Sequence, residues 1–304
     1  MDRIRLLLDT DIGSDIDDAI ALAYLLRQPQ CDLVGITTVS GEPEKRAALA
    51  HALCIAAGRP DVPVHVGSSA PFLAQQRQPL SPQSAVLSGD WPHARFESTN
   101  TAVAYLQETI RANPLELSLL AIGPLTNIGL LFALDPEIPL LLKQLVIMGG
   151  RYLPPAAGAV REEWNVLCDP HSAARVFRSM DRRLTAVGLD VTERCRLDGA
   201  DCRRRFHEIG GPMRLVAAMA EVWLHDRPEV IFHDPLAAAI IFKDDLCRFQ
   251  AGSISVDPCS DSSATTRFLE GEGGHRAATA VDDAAFLDHY FGVVGREIGG
   301  TMST

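Results

Sequence analysis

The sequence predicts an α/β fold: an open, mostly parallel sheet flanked by helices, in a single domain over residues 1–304. Three observations carry that expectation. Short apolar runs rich in β-branched residues alternate with longer segments of helical character along the chain. Leu115 to Ile122 (LELSLLAI) is apolar without strict alternation, as a strand covered on both faces is. No repeat, linker or low-complexity tract divides the chain, and its 304 residues, 47% of them hydrophobic, suffice for one large core.

Taken in order, Ile4 to Leu8 is a buried strand, followed by an acidic stretch and an apolar helix from Ala19 to Leu26. Asp32 to Val39 is a second strand, closed by the tight turn Ser40-Gly41-Glu42. A helix from Glu44 to Ala57 stops at Gly58, and Val62 to Val66 is a short third strand. This strand–helix–strand alternation is the mark of a parallel sheet. Ser68 to Thr99 has no periodicity and is rich in Pro, Ser and Gln. A loop that long is either a binding loop or lid, or a plain surface excursion.

Thr101 to Asn113 is a helix and Leu115 to Ile122 a central strand. The turn Gly123-Pro124-Leu125-Thr126-Asn127 leads into a helix, Ile128 to Leu134. Leu140 to Met148 is another buried strand, ending in Gly149-Gly150, where a missing side chain permits backbone to approach a ligand or merely to turn. Glu162 to Asn165 reads as a cap and staple or as a sugar-binding set. Asp169-Pro170 then opens a helix to Met180. Leu184 to Leu189 is a strand, and Leu197 to Leu224 is mainly helical, broken at Gly210-Gly211-Pro212, with Arg203 to Arg205 on a solvated face. His233-Asp234-Pro235 enters an apolar helix, Ala237 to Phe242, with Asp234 placed to cap and Pro235 at the first helical position. Cys247 to Val256 and Ala277 to Val281 read as antiparallel edge strands, and Phe286 to Gly292 as part of a last helix.

The formal net charge of −11 argues against a nucleic-acid partner, because phosphate backbones need basic patches. No apolar run approaches bilayer length, and Met1 to Arg5 passes directly into the first strand, so neither a membrane nor a secretory role is expected. The seven cysteines are scattered and form no Cys-x-x-Cys pair, which points to free thiols and a reducing cytoplasm.

The chemistry concentrates in the acidic stretch. Asp9, Asp11, Asp15, Asp17 and Asp18 lie between the end of a strand and the start of a helix, where open α/β sheets place their ligand crevices. One or two Asp at a helix entry are ordinary caps. Five repel one another unless a positive charge sits among them, and all-oxygen ligation suits Ca²⁺ or Mg²⁺. An EF-hand is excluded: counting from Asp9, the places for its Gly and its Glu hold Ser14 and Ile20. The Asp-x-Asp of haloacid-dehalogenase-like phosphatases fits Asp9-Thr10-Asp11. That chemistry needs a downstream Lys, and of Lys45, Lys143 and Lys243 only Lys243 falls near a strand end.

Seven blocks in order extend the pattern: the acidic opening, the ITTVSGE turn, GPLTN, the MGG strand end, Glu163-Trp164-Asn165 followed by Asp169-Pro170, GLDVT, and HDPL. With them the chain resembles the inosine-uridine-preferring nucleoside hydrolases over nearly its whole length. The resemblance implies an open α/β core, a Ca²⁺ bound beneath a ribose, and hydrolysis of the N-glycosidic bond of ribonucleosides. Position by position, Asp11 matches the acid that both touches the metal and serves as general base. Asp18, Asp234 and the carbonyl of Ile122 match the other protein ligands to the metal. Asp17, Glu163 and Asn165 match ribose-binding groups, Met148 a contact near the ribose, and His233 a donor of a proton to the leaving base. The family commonly associates, which implies a homo-oligomer, dimer or tetramer, acting on a small ribosyl substrate.

The sequence departs from the family pattern in three places. Two residues are added in the opening, so Asp15 stands at the unshifted spacing from Asp11 and is a further candidate ligand. Glu42 occupies the turn position where well-studied members carry Asn or Asp, and is expected to contact ribose or metal in an altered way. Pro154 to Val160 (PPAAGAV) offers no amide for the 5′-hydroxyl, and no His-Gly-rich segment of the pyrimidine-preferring members is visible near Gly89 to His93. A relative that binds a ribosyl ligand without turnover is the alternative these departures leave open.

Overall fold

Alternate residues of the first strand enter two different cores, and the molecule is layered on that division. The computed structural model describes residues 3–154, 162–259, 264–271 and 273–296. In β1 (Ile4–Thr10), Leu6 and Leu8 pack into one hydrophobic cluster and Leu7 into the other. The neighbouring strands divide the same way. Leu120 and Val146 join the first cluster, while Leu119, Leu145 and Ile147 join the second. A strand whose successive side chains point to opposite faces becomes continuously apolar when both faces are covered.

After β1 come α1 (Asp17–Arg27), β2 (Cys31–Thr38), α2 (Pro43–Ala56) and β3 (Val64–Val66). The long loop contains a 3₁₀ turn at Pro82–Ser88 and ends at α3 (Ala102–Ala112). Then follow β4 (Ser118–Ala121), α4 (Thr126–Leu134), α5 (Ile138–Leu141), β5 (Gln144–Met148), α6 (Trp164–Cys168), α7 (Pro170–Ser179) and β6 (Leu184–Val187). The last part comprises α8 (Leu189–Thr192), β7 (Arg196–Asp198), α9 (Gly199–Ile209), α10 (Met213–Trp223), β8 (Glu229–Ile231), α11 (His233–Ala239), β9 (Cys247–Val256), β10 (Thr266–Glu270), β11 (His275–Val281) and α12 (Asp283–Val294). Among the described residues nine strands form one sheet in the order β10-β9-β11-β6-β5-β4-β1-β2-β3, and β7 and β8 form a separate two-stranded ribbon. From β11 to β3 every pairing is parallel; only β9 and β10 run antiparallel.

The expected fold class holds, with corrections at its margins. Ala277–Val281 lies inside β11, an interior strand that pairs parallel with β6 and antiparallel with β9. The edge is β10, whose TRFLE sequence is mostly exposed and carries no apolar run by which to recognise it. The strand expected from Leu140 begins only at Gln144, because Ile138–Leu141, with Pro139 in its first turn, closes a helical turn instead. All seven cysteines are free, six of them buried and Cys259 exposed. Among the described residues no helix is long and apolar enough to cross a membrane.

Candidate active site

From β1 the chain steps outward to β2 and β3, then returns to the other side of β1 for β4, β5 and β6. The C-terminal ends of β1 and β4 therefore bracket the point where connections leave in opposite directions and a crevice opens. A cavity of about 940 Å³ lies there, walled by Asp11, Asp15, Asp17 and Asp18 from the acidic loop, Ile122 after β4, and Met148 at the end of β5. Glu163, Asn165, His233 and Asp234 complete its floor, and Trp164, Trp223, Leu80 and Arg227 its rim.

The acidic loop is held from beneath. Thr10 Oγ1 donates to the Asp18 carboxylate and accepts the Ile12 N–H at 3.1 Å. Arg46 is fully buried in α2. Its guanidinium donates to the carbonyls of Asp11, Ile12 (3.2 Å), Gly41 (2.8 Å) and Leu80 (2.9 Å), and to Ser14 Oγ at 3.0 Å. Asp17 accepts the backbone N–H of Asp234 at 3.2 Å, which ties the start of α1 to the start of α11.

Carboxylate oxygens of Asp17, Asp18 and Asp234 all lie within 4.8 Å of one another, and all three residues are buried. Burial pushes each of these carboxyls well above its ordinary range, and mutual repulsion among the acids adds to it. Asp11 is raised by burial as well, with the Arg46 charge opposing. Asp15 is raised to about 7 by desolvation. Buried acids with neighbours of their own sign are stabilised by a cation, and an all-carboxylate and carbonyl donor set fits a hard divalent ion. Asp11 and Asp15 line the same cavity but lie outside the tight triplet, whereas Asp17, expected at the ribose, is inside it.

The other expected residues are placed as follows. Glu163 caps α6: Oε1 accepts the Asn165 N–H (2.8 Å), and Oε2 accepts those of Val166 (3.1 Å) and Gly150 (3.0 Å). The cap reading of this acid is realised, on the cavity wall. Asn165 Nδ2 donates to the carbonyls of Ile122 (2.8 Å) and Met148 (3.2 Å), joining the ends of β4 and β5. His233 Nδ1 lies 2.7 Å from Thr192 Oγ1, and burial, aided by Arg196, lowers the ring to about 4. Burial therefore disfavours the charged ring.

Glu42 is the clear departure: it does not line the cavity. Its carboxylate meets Lys45 Nζ at 2.5 Å and accepts the Ser81 N–H at 2.9 Å. Ser40 and Glu42 both take positive φ, 74° and 54°, so the turn keeps a conformation that costs a non-glycine residue energy. Pro154 to Val160, where an amide was sought, lies outside the described residues after Pro154. His93 sits on the surface, bonded to the Trp91 carbonyl. Lys243 is engaged with Asp245 at 2.8 Å and is not on the cavity wall, so the phosphatase reading lacks its lysine.

Sequence reasoning missed Arg46 and Gln78. Arg46 was legible: with Leu49, Ala50 and Leu53 it falls on one helical face, all buried. Gln78 carries no local signal. It lies in the irregular loop, and only the folded chain brings it to Asp11, to which its Nε2 donates.

An open sheet with a carboxylate-lined crevice at its switch point is the frame of a ligand-binding α/β enzyme. The chain belongs to the inosine-uridine preferring nucleoside hydrolase family, whose sequence profile matches residues 6–288. It is 30% identical over 280 residues to the non-specific ribonucleoside hydrolase RihC of Salmonella paratyphi A, covering 89% of each chain. It is 29% identical over 270 residues to uridine nucleosidase 1 of Arabidopsis thaliana, covering 83% of this chain and 78% of that one. The purine-preferring ribonucleoside hydrolase from Gardnerella vaginalis superposes with a TM-score of 0.82 at 25% identity, covering 96% and 98% of the two chains. The protein is thus a hydrolase acting on the N-glycosidic bond of ribonucleosides.

Proposed function

We propose that the chain hydrolyses ribonucleosides to free base and ribose in a Ca²⁺-dependent reaction, with Asp11 as general base. The observation that carries this reading is the buried triplet Asp17, Asp18 and Asp234, three acids whose carboxylate oxygens meet at one point of the crevice. Asp18 and Asp234 would hold the ion, with Asp11, the Ile122 carbonyl and Asp15 as further donors, and Asp17 bridging toward the ribose. Bound there, the ion lowers the pKa of a water molecule and helps to orient it.

The protein's own groups do the rest. Asp11 accepts the proton of the attacking water. Cleavage builds positive charge on the sugar, and the surrounding carboxylates stabilise it. Asp17 accepts hydrogen bonds from ribose hydroxyls, Asn165 and Glu163 bound the sugar on the opposite wall, and Met148 packs beneath it. The indoles of Trp164 and Trp223 offer flat apolar surface to the base. His233 meets the departing base from the cavity wall, with Thr192 Oγ1 against its Nδ1, as a ring N–H donor toward the base. The relatives' names differ in base, uridine in one and purine in another, and the indoles at the rim are the surface that a base would meet.

The test is Asp11→Asn. The amide keeps the shape but cannot take a proton, so kcat should fall by about 10³-fold or more while the thermal transition persists. Ribose release from inosine and uridine, followed by a reducing-sugar assay with and without chelator, reads both the base and the metal. Turnover near wild type in that variant rules out the assignment.

A further inference from the structure

The loop before α3 delivers one amide into the acidic centre. Gln78 is 9% exposed. Its Nε2 donates to Asp11 Oδ2 at 2.5 Å, and its Oε1 accepts from Trp164 Nε1 at 2.6 Å. An indole N–H can only donate, so it selects the carbonyl end of the amide and turns the NH₂ end toward the carboxylate. The backbone that carries Gln78 is stitched down on both sides. The Gln78 carbonyl accepts from Gly41 N (3.2 Å) and Ser40 Oγ (3.3 Å), and Gln83 N donates to the Gly13 carbonyl at 3.0 Å. A Cβ on Gly41 would stand 2.3 Å from the Pro79 carbonyl oxygen, so the close approach of loop and turn requires glycine there. Glu42 grips Ser81 in the same strap.

We infer that Gln78 is a positioning residue for Asp11 in the hydrolytic reaction, and that Trp164 sets the direction of its amide. The inference rests on Asp11 being the base proposed above. A carboxylate free to rotate presents either oxygen to water at varying angles. Holding Oδ2 with a donor on a fixed strap confines it to one orientation, and misplacement of a reacting group is paid in rate. Ribose contacts come from other residues, so the effect belongs to kcat rather than to KM. The arrangement also gives Glu42 a purpose away from the ribose: it fastens the strap from which the amide is supplied.

The experiment is steady-state kinetics on the full chain with saturating Ca²⁺, using inosine and uridine, for Gln78→Ala, Gln78→Glu, Trp164→Phe and the Gln78→Ala/Trp164→Phe pair. Loss of one hydrogen bond to a charged group predicts a fall of about tenfold to a hundredfold in kcat for Gln78→Ala. KM should stay within about twofold, as expected when only the orientation of the base is lost, and the saturating Ca²⁺ keeps any weakening of the Asp11 metal contact out of kcat. Gln78→Glu, equal in shape but unable to donate, should be at least as impaired. Trp164→Phe keeps the apolar rim and should show a smaller loss. The double variant should be no worse than Gln78→Ala alone, because the indole acts through the amide. Unchanged kcat in Gln78→Ala and Gln78→Glu, with Asp11→Asn inactive, overturns the positioning role and leaves the base intact. An active Asp11→Asn strikes the base itself. Multiplicative losses in the double variant overturn the part given to Trp164, and if Gln78→Ala melts early, Gln78→Glu and Trp164→Phe decide the matter.

Discussion

Arg46 carries the only guanidinium described as buried beneath the acidic loop, and every hydrogen bond recorded for it there goes to backbone or a hydroxyl: the carbonyls of Asp11, Ile12, Gly41 and Leu80, and Ser14 Oγ. Its charge also opposes the upward shifts of Asp11 and Asp18. Arg46→Met preserves the stem and removes both functions. Stability should drop by about 3–5 kcal/mol, the usual cost of stripping a buried charge from its partners, measured by denaturant titration with Ca²⁺ present. The acids themselves were legible because five of them in ten residues exceed what capping needs, whereas the meeting of Asp17 with Asp234 and the burial of His233 were not. Whether a carboxylate joins the metal group or faces the sugar depends on helix phase and on the neighbour brought by α11. Whether a histidine is charged depends on how deeply that neighbourhood is buried.

Elements set which loop reaches the site. Strands β1, β4 and β5 end at one level, so the residues at and after their ends, Asp11 to Asp18, Ile122 and Met148, line one cavity. The existence of those strands could be read from apolar runs alone, though not the start of β5 at Gln144. The strap from Gln78 to Gln83 could not, since nothing in a Pro- and Gln-rich stretch tells a wall from a surface excursion, and its docking runs through long-range bonds to Gly13, Gly41, Glu42 and Arg46. Glu42→Ala removes one of these. Amide exchange at Leu80 and Ser81 should speed up by roughly fivefold to tenfold, the equivalent of about 1 kcal/mol of local stability, with the sheet amides unchanged. Exchange monitored by mass spectrometry on the strap peptide reads it directly.

At the scale of the whole molecule, the crowded acids couple folding to pH and, with the proposed ion, to metal. Asp9, fully buried against Thr37 and Asn127, is raised to about 7 by desolvation, and Asp15 likewise to about 7. A carboxyl with a raised folded value retains its proton where the unfolded chain, titrating at about 4, has lost it. Its contribution is therefore fully present at or below about pH 4 and is lost as pH rises toward the folded value. In chelator, melting of the metal-free protein should show this as a stability that declines between about pH 4 and 7, with Asp9 alone contributing on the order of a few kcal/mol. Added Ca²⁺ competes with those protons, so the gain in Tm on adding it should grow across the same window. A Ca²⁺-induced shift that is flat over that range contradicts the linkage.

The alternation of apolar runs and the five clustered acids determined the sheet and the crevice, because burial and charge crowding are properties of short stretches, and the seven blocks in order carried the resemblance that implied the class of bond cleaved. The tertiary structure alone decided that Glu42 clasps a strap away from the cavity, that β11 lies inside the sheet, that burial disfavours a charged His233, and that an amide 67 residues downstream donates to Asp11. Each of these depends on which distant segments a side chain meets, and on how far water is kept from it, and neither is written in the residues alongside.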